Sequence, residues 1–320
     1  MDTFKWAYLG AGHIAETTAK ELQGGSNEIA AVWNRTFAKA EAFVQKYGGT
    51  AYQTPEEAIT APGVEGVYIA VNADQHADLI KRCIQCGKPV LCKKPFTVNR
   101  REAEEVFHLA GEKGVYVSEA MWTWHNATAL KVKEWVDSGR LGRIQAVRAA
   151  YTCPLAQYHI PRLLKNEMIG GALMDIGVYA VTYAYRLFGM PEHIQCAGRM
   201  VDDVDHGEQI RMDYPGFSVE IDVAMDRDDG EYFDIIGTEG SIRVPRFHDG
   251  VSAECDAGTA EAFRDPHEKK YDVQFSNVAR EIRAGLTEGK MVPARSTLAV
   301  IGLLDECRKQ MGVVYPPDRP

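Results

Sequence analysis

Gly10-Ala11-Gly12-His13-Ile14-Ala15 is the first stretch of the chain whose residue types and spacing suit chemistry. It reads G-x-G-x-x-A, directly after an apolar run and directly before a helical pattern. The first glycine permits a tight turn, and the second lets a pyrophosphate approach the backbone. The small last residue lets helix and strand pack closely. A helix opening there offers free N–H groups and a positive dipole end to phosphate. The second apolar run ends in Trp33-Asn34-Arg35-Thr36, with Lys39 one helical turn on. A carboxylate at this place would bind the ribose 2′-hydroxyl of NAD, whereas an arginine accommodates the 2′-phosphate of NADP. Asn34, Arg35, Thr36 and Lys39 therefore point to NADP(H), with NAD(H) as the alternative. Arg35 can donate a charge-assisted fork to phosphate.

Three further apolar runs end in Val71-Asn72-Ala73-Asp74-Gln75-His76, Leu91-Cys92-Lys93-Lys94-Pro95-Phe96 and Ser118-Glu119-Ala120-Met121-Trp122. Ligands of open α/β sheets sit at the carboxyl ends of strands, so these segments are expected to converge on one site. Asp175 and Tyr179 stand four apart in a helical pattern and share a face. With Thr182 and Arg186 they form a polar stripe, apart from the apolar stripe Leu173, Ile176, Ala180, Ala184 and Leu187. Trp122, Trp124, Tyr158 and His159 suit either a wall for a substrate ring or an aromatic core.

The elements that must position these residues follow from the patterning. Strand-like runs at Lys5–Leu9, Ile29–Trp33, Gly66–Val71, Pro89–Cys92 and Val115–Ser118 alternate with helical patterns near His13–Gln23, Ala38–Lys46, Ala73–Cys86 and Asn99–Lys113. This is an α/β arrangement, a parallel sheet with helices on both faces, and it predicts a Rossmann dinucleotide-binding domain over 1–120. From 121 to 320 the strands come closer together, as antiparallel meanders do. They run at Ile144–Tyr151, Ile194–Val201, Gln209–Tyr214, Ser218–Ala224, Tyr232–Ile236 and Ser241–Val244. Helices are expected near Ala127–Ser138, Ala172–Phe188, Ser276–Leu286 and Ser296–Gln310, and a long loop over Asp249–Lys269. The second domain is therefore α+β with an open, mostly antiparallel sheet for substrate binding and oligomerisation.

Composition excludes other classes. The 320 residues carry a formal net charge of −9, without the basic excess of a nucleic-acid binder. The longest apolar runs are too short for a bilayer. Met1-Asp2-Thr3-Phe4-Lys5-Trp6 lacks the basic, then apolar, pattern of an export signal. Seven cysteines scattered along the chain do not form a disulfide framework. Cys83-Ile84-Gln85-Cys86 falls at a helix end, where the dipole does not activate a thiol, and nothing completes a metal site. A cytoplasmic protein without a metal, acting on a small molecule, is expected.

In order and spacing, four pieces of this chain resemble the glucose–fructose oxidoreductase/inositol dehydrogenase/MocA family. They are Gly10–Ala15, Lys93-Lys94-Pro95, Glu119-Ala120-Met121-Trp122-Thr123, and Gly170-Gly171-Ala172-Leu173-Met174-Asp175-Ile176-Gly177-Val178-Tyr179. The resemblance covers nearly the whole chain and is strongest to the branch containing dihydrodiol dehydrogenases. It implies that Lys94 is the catalytic lysine of Glu-Lys-Pro, and that Pro95 shapes its backbone through a cis bond. It also implies that Asp175 and Tyr179 are the acidic and Tyr/His positions of D-x-G-x-(Y/H). The expected cofactor set is Gly10, Gly12, His13, Ile14, Asn34, Arg35, Thr36, Lys39, Val71, Asn72, His76, Lys93, Lys94, Glu119 and Trp122. For His76 a helix-capping role is the alternative. The expected substrate set is Trp122, Trp124, Tyr158, His159 and Tyr179. Two departures stand out: Lys93 in place of the family's Glu, and Trp124-His125 in place of Arg-Phe.

The implied chemistry needs these types. Oxidising a carbinol sends a hydride to nicotinamide while a base takes the hydroxyl proton. Tyrosine, with an ordinary pKa of about 10, needs a cation beside it to act so, and a lysine ammonium also polarises the oxygen. The expectation is an NADP(H)-dependent oxidoreductase acting on a cyclic polyol, sugar or dihydrodiol, as a homodimer or homotetramer through its second-domain sheet. The alternatives are an NAD-dependent sugar or inositol dehydrogenase and a non-catalytic cofactor sensor.

Overall fold

Alternation of apolar runs with amphipathic stretches builds a parallel sheet in the N-terminal part of the chain. The structure is a computed structural model and describes residues 3–158 and 160–319. Strands β1 (Phe4–Leu9), β2 (Asn27–Trp33), β3 (Thr50–Tyr52), β4 (Gly66–Ile69), β5 (Val90–Lys93) and β6 (Val117–Ala120) lie in the order β3-β2-β1-β4-β5-β6. Every neighbouring pair is parallel. Helices α1 (His13–Leu22), α2 (Phe37–Tyr47), α3 (Pro55–Ile59), α4 (His76–Gln85) and α5 (Arg100–Lys113) connect them. Central strands are buried throughout, Trp6 to Leu9 and Gly66 to Ile69 among them, as a sheet covered on both faces requires. Capping matches the sequence. Asn99 Oδ1 accepts the Glu102 N–H at 3.0 Å at the start of α5, and Gly114, at φ 63°, ends it.

The first compact unit comprises the chain through His125 together with His267–Leu298, and the second comprises Asn126–Pro266 and the chain from Ala299 on. This corrects the expected division at 120/121, which leaves 267–298 with the second domain. The reason is aromatic. Helix Lys270–Arg283 lays the fully buried Phe275 against Trp6 (ring centroids 5.0 Å), Tyr8 (6.1 Å) and Tyr68 (5.0 Å). Asn27 links Trp6 to the same helix, accepting from the indole N–H at 3.0 Å and donating to Ser276 Oγ at 2.9 Å. The Tyr116 hydroxyl donates to Glu281 at 2.8 Å.

In the second unit α6 (Ala127–Asp137) is capped by Asn126, whose Oδ1 accepts the Ala129 N–H at 2.9 Å. Strands β7 (Ile144–Thr152), β8 (His193–Val201), β9 (Val204–Tyr214), β10 (Phe217–Ala224), β11 (Glu231–Gly237), β12 (Ser241–Pro245), β13 (Ser252–Cys255) and β14 (Glu261–Arg264) form one sheet. Their order is β14-β13-β12-β11-β7-β10-β9-β8. The β7–β10 pair is parallel and the others antiparallel. The expected long loop over 249–269 is thus corrected: it contains β13 and β14. One sheet face packs under α7 (Val178–Phe188), where Tyr183 meets Phe233 and Phe247 at 4.8 and 5.4 Å. The register aligns Arg243, Asp234, Arg148, Glu220 and Arg211 in a row of alternating charge across five strands. No helix among the described residues is long and apolar enough to cross a membrane.

Candidate functional site

The β1–α1 turn is shaped by what glycine permits. Gly10 has φ +113°, and a Cβ there would stand 2.8 Å from the Ala70 carbonyl at the end of β4. Gly12 caps α1 without a side chain, and a Cβ on it would meet nothing within 4 Å. The space beside the unpaired N–H groups of α1 is therefore open. Asn34 ties the turn to the end of β2, its Oδ1 accepting the Ala11 N–H at 3.2 Å and its Nδ2 donating to the Thr36 carbonyl at 3.0 Å. His13, Arg35, Thr36 and Lys39 are exposed and Ile14 is half-buried. Among the described residues neither Arg35 nor Lys39 has an ion-pair partner. A bare helix N-terminus with exposed cations at the next strand end fits the phosphates of a dinucleotide.

The end of β4 approaches this turn at Ala70 and Val71. Val71, Asn72, Lys93 and Lys94 are half-buried, and the Lys94–Pro95 peptide is cis. His76 departs from expectation: it is fully buried. Its Nδ1 lies 3.0 Å from the Pro95 oxygen and 3.1 Å from that of Phe96, and its Nε2 lies 3.1 Å from the Val71 oxygen. The ring joins two strand-end turns and leaves no surface for a ligand. Burial, with the Lys93 charge adding, pushes it down to about 4. Glu119 departs likewise. It is 3% exposed and accepts the Thr297 hydroxyl at 3.0 Å, and burial pushes its carboxyl up to about 7. Trp122 packs on Tyr271 at 4.8 Å, whereas Trp124, expected at the pocket wall, is core at 1% exposure. Cys83 is buried at the end of α4, and burial pushes its thiol up. Among the described residues no three His, Cys, Asp or Glu side chains are placed to hold a metal.

In the second unit a π-turn at Leu173–Gly177 leads into α7. Asp205, fully buried on β9, accepts the Leu173 N–H at 2.7 Å and holds this start in place. Asp175 pairs with Arg162 at 2.8 Å. Tyr179, mostly buried, lies edge-on to His248 (5.5 Å, 61°) and 6.2 Å from Tyr151. His248 stacks on Tyr151 at 4.7 Å. Glu231 grips His248 twice, accepting its backbone N–H and contacting its Nδ1, each at 2.7 Å. Burial, with the nearby Glu231 and Asp175 carboxylates adding, pushes the Tyr151 hydroxyl far up, so it stays a phenol. Sequence reasoning missed Tyr151, Glu231, His248 and Arg162. They come from separate strands and turns, and no spacing links them. Tyr158 is 65% exposed on a short turn, and His159 lies outside the described residues.

A Rossmann unit with a bare glycine turn, followed by an α+β unit, is the architecture of a dinucleotide-binding protein. The chain belongs to the oxidoreductase family with an NAD-binding Rossmann fold: residues 4–121 match its model, and 129–243 match the GFO/IDH/MocA C-terminal domain. It is 30% identical to mouse trans-1,2-dihydrobenzene-1,2-diol dehydrogenase over 98% of this chain and 99% of that one. It is 28% identical to the human protein of that name, with the same coverage. The fold is shared with a 3-ketoreductase from Actinomadura kijaniata solved with NADP and TDP-benzene (TM-score 0.86, 23% identity, 97% and 98% of the two chains). It is shared too with an Agrobacterium radiobacter oxidoreductase solved with NAD+, L-tartaric acid and magnesium (TM-score 0.83, 16% identity, 97% and 96%).

Proposed function

We propose that this oxidoreductase prefers NADP(H) and acts on a secondary hydroxyl or carbonyl of a cyclic polyol, sugar or dihydrodiol. The observation that carries the cofactor preference is the end of β2. Asn34 is spent on the glycine turn, no carboxylate follows it, and Arg35 and Lys39 stand exposed. Gly10, Gly12, His13, Ile14, Thr36, Val71 and Asn72 complete the proposed cofactor set. The substrate class is supported by the names of the relatives and by the aromatic surroundings of Tyr179. Bound nicotinamide would supply the hydride donor or acceptor. Lys94 is assigned to hold an ammonium at the reacting oxygen, Tyr179 to pass the proton, and Asp175 to orient them. Trp122 and Tyr179 are assigned as substrate contacts, and Tyr151 and His248 pack around Tyr179. The charged row on the sheet is proposed as a surface for pairing with a second copy, which sedimentation would test.

Two measurements test this reading. Fluorescence titration should give tighter NADPH than NADH binding, and Arg35→Ala should narrow the gap by about 1.5–3 kcal/mol, the scale of a hydrogen bond to a charged group. Tighter NADH binding by the native chain would overturn the preference. In a turnover panel of polyols, sugars and dihydrodiols, Lys94→Ala and Tyr179→Phe should each lower kcat by about 10²–10⁴-fold. The double variant should lose far less than the product of the two, since the pair acts as a unit. Tight NADPH binding with no turnover in either direction would move the reading to a cofactor sensor.

A further inference from the structure

Beside Lys94 the first unit holds a carboxyl group shut away from water. Glu119 is the third residue of β6 and pairs in register with Cys92 of β5, two residues before Lys94. Its neighbours are few and specific: the Thr297 hydroxyl, the Phe96 backbone N–H and the Lys94 charge. Thr297 reaches it from a distant part of the chain that is fitted along β6. The Val117 N–H donates to the Thr287 carbonyl at 3.3 Å, and Ser118 Oγ donates to the Val292 carbonyl, also at 3.3 Å. The fit is close, for a Cβ on Gly289 would stand 2.6 Å from Ser118 Oγ.

We propose that Glu119, held by Thr297 and the Phe96 N–H one strand over from the Lys94 turn, is a positioning residue whose charge favours the ammonium form of Lys94. This rests on the reading of Lys94 as the proton-handling lysine. A carboxyl this buried is costly unless it is hydrogen-bonded and paired. Two neutral donors serve its oxygens, and the Lys94 ammonium is the cation that bears on it. The attraction is mutual, so an ionised Glu119 favours the charged form of Lys94. The other titratable group facing Glu119 is the Cys92 thiol, which burial pushes up and leaves neutral. Lys93 bears on Cys92 and on His76. Because burial pushes Glu119 up to about 7, its charge changes across the neutral range, and its hold on Lys94 strengthens as pH rises.

Competitive acylation with acetic anhydride, read by peptide mass spectrometry, reports Lys94 directly, since only the neutral amine reacts. It needs neither cofactor nor turnover. At pH 8, Glu119→Gln should speed labelling of Lys94 by about tenfold or more, the effect of removing an opposite charge. Labelling of the exposed Lys113 should not change. Glu119→Asp should fall between, and so should Thr297→Val, which serves as the second variant should the glutamine form fail to fold. In the pH profile of kcat/KM, the alkaline limb should move to lower pH in Glu119→Gln. Unchanged Lys94 labelling in a folded Glu119→Gln protein would overturn the proposal. Full turnover by Lys94→Ala would instead overturn the reading of Lys94, and the labelling result would still describe the pair.

Discussion

Three carbonyl oxygens surround the His76 ring, which has one proton to give. The ring is pushed down to about 4 and is neutral at physiological pH, so it carries a single N–H. On Nδ1 that proton is shared by the Pro95 and Phe96 oxygens, which satisfies two of the three. A histidine of ordinary pKa near 6.5 in the unfolded chain takes up a proton as pH falls, and the folded ring refuses it. Its contribution to stability is therefore complete above about pH 6.5 and is lost as pH falls toward 4. By linkage the loss is about 2 kcal/mol at pH 5. Urea unfolding at pH 7.5 and pH 5 should show a smaller difference for His76→Phe, which keeps the bulk and removes the titration. An equal difference in both proteins would mean that other groups set the acid limb. Lys93 takes part in the same balance, since its charge bears on the ring.

At the scale of elements, the segment 173–188 depends on one buried acceptor. Asp205 receives the Leu173 N–H, and Gly171 packs so closely on the carboxylate that no side chain would fit there. Glu208, buried three residues further along β9, is pushed well above the carboxylate range by burial and by the Asp205 charge. Asp205→Ala should cost about 1.5–3 kcal/mol, the worth of a hydrogen bond to a charged group, while Asp205→Asn should cost less by retaining an acceptor. Urea midpoints for the two variants check it, and equal losses would assign the effect to volume rather than to the cap. Little of this is written locally. The parallel strands were legible because long apolar runs separated by amphipathic helices admit few arrangements, and G-x-G-x-x-A marks the first turn. The strand Thr50–Tyr52 and the helix Pro55–Ile59 are too short for periodicity to show. Ser252–Cys255 and Glu261–Arg264 bury few side chains within a polar stretch, so they read as loop. At the candidate site, the glycine turn between β1 and α1 was legible, but burial was not. His76 opens α4 and Glu119 lies near the end of β6, and only packing reveals that both are buried.

For the whole molecule, the decisive feature is that the chain returns to its first unit. The sheet formed by residues through His125 has one face finished by Phe275, which arrives after the second unit is complete. Without the helix Lys270–Arg283, Trp6, Tyr8 and Tyr68 lose the ring packed among them, and Asn27 and Tyr116 lose the partners in it that they hydrogen-bond. A fragment ending at His125 should therefore lack a cooperative urea transition, although it contains all six parallel strands and the glycine turn. Joining 267–298 to it through a flexible linker should restore one. In the full chain, Phe275→Ala should destabilise the first unit by about 3–5 kcal/mol, the usual cost of deleting a buried aromatic ring. Tryptophan fluorescence reads this well, because Trp6, Trp33, Trp122 and Trp124 lie in the first unit and Trp135 in the second. The first unit's midpoint should fall in Phe275→Ala, and NADPH binding should weaken at urea concentrations that the native protein tolerates. A fragment 1–125 that unfolds cooperatively, with the midpoint of the full chain, would show that the strands alone complete the dinucleotide-binding unit.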